Sequence, residues 1–280
     1  MNHARLTPLL TLLILLATAL LTACQGRATP VIPTRIPSIE QLATSDFLTA
    51  NAPPEGFREQ VIFPAIDANL PSLPNWRYEA TLSFNGIFAG TPRPAAGTIR
   101  VQVWHNQLGT QRRVVIETSG ELFGIETEGT VITREAVRLG PDTFLVENNA
   151  CTRATEGEPA IAADLLISQV IGGVNRAIPV GVQQVINGEQ VWRYDFVQDD
   201  LLMPYIRLGG AGRILSLSRE LWVAPARNAV IRFWLTMNVE NVVIFEQLIE
   251  GNPPVSGELV LRYDLYSIGT DPNITQPFGC

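Results

Sequence analysis

The chain has 280 residues, 46% of them apolar, with 27 acidic residues against 20 basic ones, all arginine, and a net charge of −7. That balance supplies material for a sizeable core and argues against nucleic acid as a partner, because phosphate neutralisation needs basic clusters. The absence of lysine excludes a Walker-type phosphate loop, a Schiff-base lysine and a Ser-Lys nucleophile.

The first element is a leader. His3 and Arg5 precede a near-continuous apolar run over residues 6–23, and Ala17, Thr18, Ala19, Thr22 and Ala23 keep its end rich in small residues. Leu21-Thr22-Ala23-Cys24 resembles the lipobox of bacterial lipoproteins, with leucine three residues before a cysteine and a small residue directly before it. The resemblance implies cleavage ahead of Cys24 and acylation of Cys24, which would hold the protein on the cell membrane or the outer membrane. Removal of 23 residues leaves 257, and loss of Arg5 leaves a net charge of −8. The apolar run also approaches the ~20 residues of a spanning helix, so a retained anchor and an ordinary secretory peptide are the other readings. All three place the body outside the cytoplasm.

With Cys24 assigned to lipid, Cys151 and Cys280 remain. An exported chain favours a disulfide between them over two free thiols, and no C-x-x-C spacing suggests redox chemistry.

Residues 25–37 carry Pro30, Pro33 and Pro37 and read as an extended tether. A short helix is expected over 38–49, with Ser38 as its N-cap. Pro53, Pro54, Pro64, Pro71 and Pro74 then mark a stretch too proline-rich for regular structure. The expected organisation is a leader at 1–23, lipidated cysteine and tether at 24–75, and one β-rich domain at 76–280.

From Trp76 the period is two. Tyr78, Ala80, Leu82 and Phe84 alternate with polar residues, and strands are expected over 99–103, 112–118, 122–127, 130–137 and 143–146. Their short connections imply antiparallel neighbours. Residues 158–171 read as one amphipathic helix, with Pro159 in its first turn and Gly172-Gly173 ending it. Asn187-Gly188 is a hairpin signal between strands over 180–186 and 190–197. A brief helix over 199–208 and strands over 213–224, 229–239, 242–249 and 258–268 bring the strands to about ten or eleven. Trp76-Arg77-Tyr78-Glu79, Trp192-Arg193-Tyr194-Asp195 and Leu261-Arg262-Tyr263-Asp264 each set a tyrosine on one face between charges on the other. Charges two apart share a face, so exposed pairs along each strand are expected.

The fold expected is mainly β (α+β): a curled antiparallel sheet or half-open β-barrel with one or two helices on its concave side, because so long a sheet cannot bury an apolar face under one helix unless it curls. Such a sheet can keep a cavity for an apolar ligand, or its core can be filled. The candidate lining residues are Leu82, Phe84, Leu165, Val170, Trp192, Tyr194, Phe196, Leu217, Phe233, Leu235, Leu261 and Tyr263. The order of lipobox, tether, strand block, amphipathic helix and second strand block resembles lipid-anchored relatives of the bacterial lipoprotein-carrier (LolA-like, LprG/LppX-type) superfamily. This resemblance, over about residues 76–268, implies a lipid or lipidated protein as cargo, held or transferred at the envelope. Cys151, Cys280 and the proline-rich approach have no counterpart in it.

No catalytic signature stands out. His105 has no partner histidine once the leader is gone, and there is no G-x-S-x-G elbow. Asp199-Asp200 lacks the spacing of a calcium loop. No enzyme activity, metal or cofactor is expected, and the alternative to a carrier is an interaction or sensor module docking an envelope protein on its sheet face or an edge strand.

Overall fold

Period-two alternation produces long antiparallel strands. In β2 (Asn75–Phe88) Trp76, Tyr78, Ala80, Leu82 and Phe84 are buried, while Arg77, Glu79, Thr81 and Ser83 between them are partly exposed. The computed structural model describes residues 53, 55–125, 127, 129–204, 206–208, 211–245 and 252–280. Cys24, the leader, the tether up to residue 52 and the helix expected over 38–49 lie outside them.

Pro53–Cys280 is one compact unit. Its strands are β1 (Val61–Phe63), β2, β3 (Pro94–Asn106), β4 (Gln111–Ser119), β5 (Ile132–Leu139), β6 (Asp142–Glu147), β7 (Ala150–Ala154), β8 (Gly173–Ile186), β9 (Glu189–Asp195), β10 (Leu201–Leu202), β11 (Ile206–Arg207), β12 (Arg213–Ala224), β13 (Ala229–Ile244) and β14 (Val255–Tyr266). Between β7 and β8 lie two helices, α1 (Glu158–Ala163) and α2 (Ser168–Ile171). The main path of the sheet runs β1-β8-β9-β12-β13-β14-β2-β3-β4-β5-β6-β7, with every pairing antiparallel. Two meanders therefore meet at its centre, where β14 pairs with β2. The ends, β1 and β7, do not pair with each other among the described residues, so the barrel is half-open.

One core cluster takes side chains from both meanders: Leu82 and Val103 from one, Leu221, Phe233 and Leu261 from the other. A flat sheet cannot bring these into one core, and the inward curl that does so follows the twist of long strands. After β14, Gly269 N–H donates to the Asn75 carbonyl at 2.9 Å. Asn106 Nδ2 donates to Asp271 Oδ1, and Cys280 is disulfide-bonded to Cys151 on β7 with 5.5 Å between Cα atoms. Residues 267–280 thus strap the centre of the sheet to its edge.

The structure differs from the sequence expectation in several places, each for a physical reason. The proline-rich approach contains β1, because Pro64 falls just after it and leaves Val61 and Phe63 free to pair with Ala177 and Val174. The helix expected over 158–171 is two short ones. Asp164 turns to Arg138 at 2.5 Å, the Leu165 carbonyl accepts from Arg112 Nη2 at 2.6 Å, and Asp67 accepts from Ser168 N–H at 3.2 Å to start α2. In place of a strand at 122–127 there is a 3-10 turn, Glu121–Phe123, ended by Gly124 at φ 71°. The stretch 199–208 is a 3-10 turn (Gln198–Asp200) followed by β10 and β11. The strands expected over 229–239 and 242–249 merge, as far as Ile244, into β13, whose register shifts around Asn241 at φ 53°; residues 246–249 lie outside the described ones. The charges beside the buried tyrosines mostly pair between strands: Glu79 with Arg100 at 3.0 Å, Asp195 with Arg219 at 2.8 Å, Asp264 with Arg232 at 2.7 Å. Arg77–Glu79, at 3.7 Å, is the pair that runs along a strand.

Candidate ligand cleft

Large side chains fill the concave side beneath β9, β12, β13, β14 and β2. Leu82, Phe84, Tyr194, Phe196, Phe233, Leu235, Leu261 and Tyr263 are all buried there. Their rings pack on one another, with Phe196 against Phe233 at 6.0 Å and Tyr263 against Tyr78 at 5.4 Å between centroids. Trp192 is half-buried, its ring 4.4 Å from Phe57. Leu217 is partly buried at the rim of the core, and Leu215 on the same strand is exposed.

Further along the sheet the inward side chains are shorter. On β3, β4 and β5 they are Ile99, Val101, Ile116, Thr118 and Ile132, paired in register as Ile99 with Thr118 and Thr118 with Ile132. The α1–α2 cover and the turn after β4 face them across a gap, supplying Leu165, Val170, Phe123 and Ile125. The result is a cleft of about 340 Å³. Two of the twelve residues singled out from the sequence, Leu165 and Val170, line it; the strand residues opposite them carried no aromatic signal and were missed. The useful signal was the reverse one: a gap under a helix persists where β-branched residues of modest size face it, since close packing removes it elsewhere.

Among the described residues Arg134 is the one cation lining the cleft, and it is already engaged by Glu147 at 3.3 Å and Glu158 at 2.5 Å. The lining is otherwise apolar apart from Thr118. The volume lies near the lower end for ligand pockets, and it is roughly twice that of a 150 Å³ apolar cavity known to take benzene. With a water-sized group occupying ~30 Å³, there is space for on the order of ten methylene-sized groups, which suits one hydrocarbon chain. Ile125 is shared with a more polar recess of about 470 Å³ that includes Ser119, Glu121, Thr127 and Thr130. The two open side by side.

The cover is fastened to the sheet by polar contacts at its surface. Glu158 at the start of α1 meets Arg134, and Asp164 at its end meets Arg138; both acids are well exposed, so each pair contributes at most ~1 kcal/mol. A second polar group lies inward of the α1–α2 link. Tyr78 and Tyr263 are fully buried, and burial pushes both phenols up from their ordinary range. His105 stacks on Trp76 at 4.9 Å, and burial, with Arg112 nearby, holds its imidazole below the ordinary value. Among the described residues no three acidic, cysteine or histidine side chains gather as a metal site.

No protein-family model matches the sequence, and no curated protein matches it. Among solved structures the chain is similar to LprF from Mycobacterium bovis, at 15% identity over 76% of this chain and 94% of that one, with a TM-score of 0.34. It is also similar to a DUF1329 family protein from Desulfovibrio piger ATCC 29098, at 12% identity over 73% of this chain and 88% of that one, with a TM-score of 0.22. Neither score carries an argument about ligand.

Proposed function

We propose that this is a non-catalytic, extracytoplasmic lipoprotein, anchored through acylated Cys24, that holds one hydrocarbon chain of a lipid or a lipidated protein in the cleft between the α1–α2 cover and β3–β5. The observation that carries this reading is the largely apolar gap of about 340 Å³ between the α1–α2 cover and β3–β5. Affinity comes from burying the chain, at ~0.8 kcal/mol per methylene, less the cost of ordering it. The cover acts as a lid, held by Ala163, Ile167 and Ile171 in the core, by Asp67 and Arg112, and by weak surface ion pairs at its outer side. A diacyl lipid exceeds this space, so a second chain would stay outside the cleft.

Native mass spectrometry of protein made in its own host tests the proposal, together with titration of a fluorescent fatty-acid probe. Co-purified lipid or saturable probe binding is expected. A protein that carries no lipid and also leaves the probe unbound would rule the carrier reading out.

A further inference from the structure

The strap after β14 covers the other face of the sheet. Directly paired residues share a face, and the paired row Val103, Val114, Ala136 and Leu145 belongs to the core cluster. The neighbouring row, Arg113, Val137, Phe144 and Arg153, therefore points outward, as does the row Val115, Glu135, Val146 and Cys151. Outward side chains are expected to be wet, yet Val137 and Phe144 are buried, and neither belongs to the core cluster. Their cover is the strap. It leaves the sheet where Asp271 meets Asn106 at the end of β3 and reaches Cys151 on the outer face. On the way it buries Ile274 and Pro277, and Ile274 too lies outside the core cluster.

Little else fastens this cover. The start of the strap is tied by Gly269 N–H to Asn75 and by Asp271 to Asn106. From residue 272 to Cys280 no hydrogen bond joins it to the sheet among the described residues. Ile274, Pro277 and the bond to Cys151 hold it down. Cys280 is exposed and Cys151 partly so, which opens the bond to attack by a thiolate.

We propose that the Cys151–Cys280 bond is a redox switch: a dithiol reductant releases residues 272–280 and bares an apolar patch of Val115, Val137, Phe144 and Val146, while the sheet and its core stay folded. The reductant's first thiolate attacks Cys280 Sγ and breaks the S–S bond, forming a mixed disulfide and a Cys151 thiolate that takes up a proton. Its second thiol, as the thiolate, then attacks the mixed disulfide and frees Cys280, which is protonated in turn. The reductant ends as a disulfide, and the cysteine pair has gained two electrons and two protons. Oxidised, the protein hides the patch; reduced, it presents it. The switch lies across the sheet from the cleft and does not depend on what the cleft holds.

The test compares the full chain when oxidised, when reduced by dithiothreitol, and as Cys280→Ser. Fluorescence of a hydrophobic dye should rise several-fold on reduction and return on reoxidation, with far-UV circular dichroism unchanged. Hydroxyl-radical footprinting should oxidise Phe144 several-fold faster in Cys280→Ser than in the oxidised parent, and leave Phe233 in the core equally protected in both. Ile274→Ser should move the equilibrium with dithiothreitol several-fold towards the reduced pair, because Ile274 packing keeps Cys280 beside Cys151. Should Cys280→Ser fail to fold, the dye and dichroism measurements on the reduced parent decide alone. A reduced protein that binds no more dye would show that the strap stays in place without its bond. Loss of circular dichroism on reduction would show that the bond holds the fold and not a cover. Either result overturns the switch.

Discussion

Ile116→Trp is the sharpest test of the cleft. Ile116 sits in register between Val101 on β3 and Arg134 on β5, half-buried and facing the gap. Tryptophan brings roughly six more heavy atoms into a space that holds on the order of ten methylene-sized groups. Each methylene kept out forgoes ~0.8 kcal/mol, so excluding five or six removes ~4–5 kcal/mol of binding, on the order of a 10³-fold loss. The indole enters an existing gap, so the overpacking penalty of ~1–3 kcal/mol seen in filled cores should largely be absent. Fatty-acid probe titration and a thermal melt on the same sample give both quantities. A folded Ile116→Trp protein that binds the probe as tightly as the parent would refute the location of the site, whatever the parent's affinity.

Three stability measurements probe the scaffold. Replacing Cys151 and Cys280 by alanine opens a link of sequence separation 129, worth about 4.9 kcal/mol by chain entropy, or a melting shift of roughly 10–20 °C in a unit of this size; calorimetry showing under ~1 kcal/mol would mean the strap holds without its bond. The Tyr263 hydroxyl is fully buried and has no hydrogen-bond partner among the described residues, so Tyr263→Phe should stabilise by ~1–2 kcal/mol in urea titrations, and a loss of stability would contradict that environment. His105 has a folded-state pKa lowered from 6.5, so below about that pH the unfolded chain binds a proton that the folded chain refuses. Its contribution is therefore present at neutral pH and lost as pH falls through about 6.5. Denaturant midpoints between pH 7.5 and 5.5 should fall in the parent and fall less in His105→Phe; identical slopes would argue that the imidazole plays no part.

Most strands were legible because alternation and turn chemistry are local. Asn187-Gly188 marked its hairpin, and the Tyr78, Tyr194 and Tyr263 faces pointed inward as read. What local pattern could not convey was competition from far along the chain. The break between α1 and α2 depends on Arg112, Arg138 and Asp67, which lie 53, 26 and 101 residues from their partners. The candidate cavity residues stand out in the sequence by their size, and size is what fills the core. Leu165 and Val170 reached the gap because they sit on the cover, opposite the short side chains of Val101 and Thr118.

The position of the cover in the chain has one more consequence. α1 and α2 lie in the covalent connection between the two meanders, yet those meanders are also joined by twelve residue pairs between β14 and β2 and by the Cys151–Cys280 bond. A single nick between the helices would leave two polypeptides that stay together, with only the roof over the gap released. Limited proteolysis at that link should yield a two-fragment molecule that runs apart on a gel only after reduction. Such a product would separate what grips the ligand from what keeps the sheet whole.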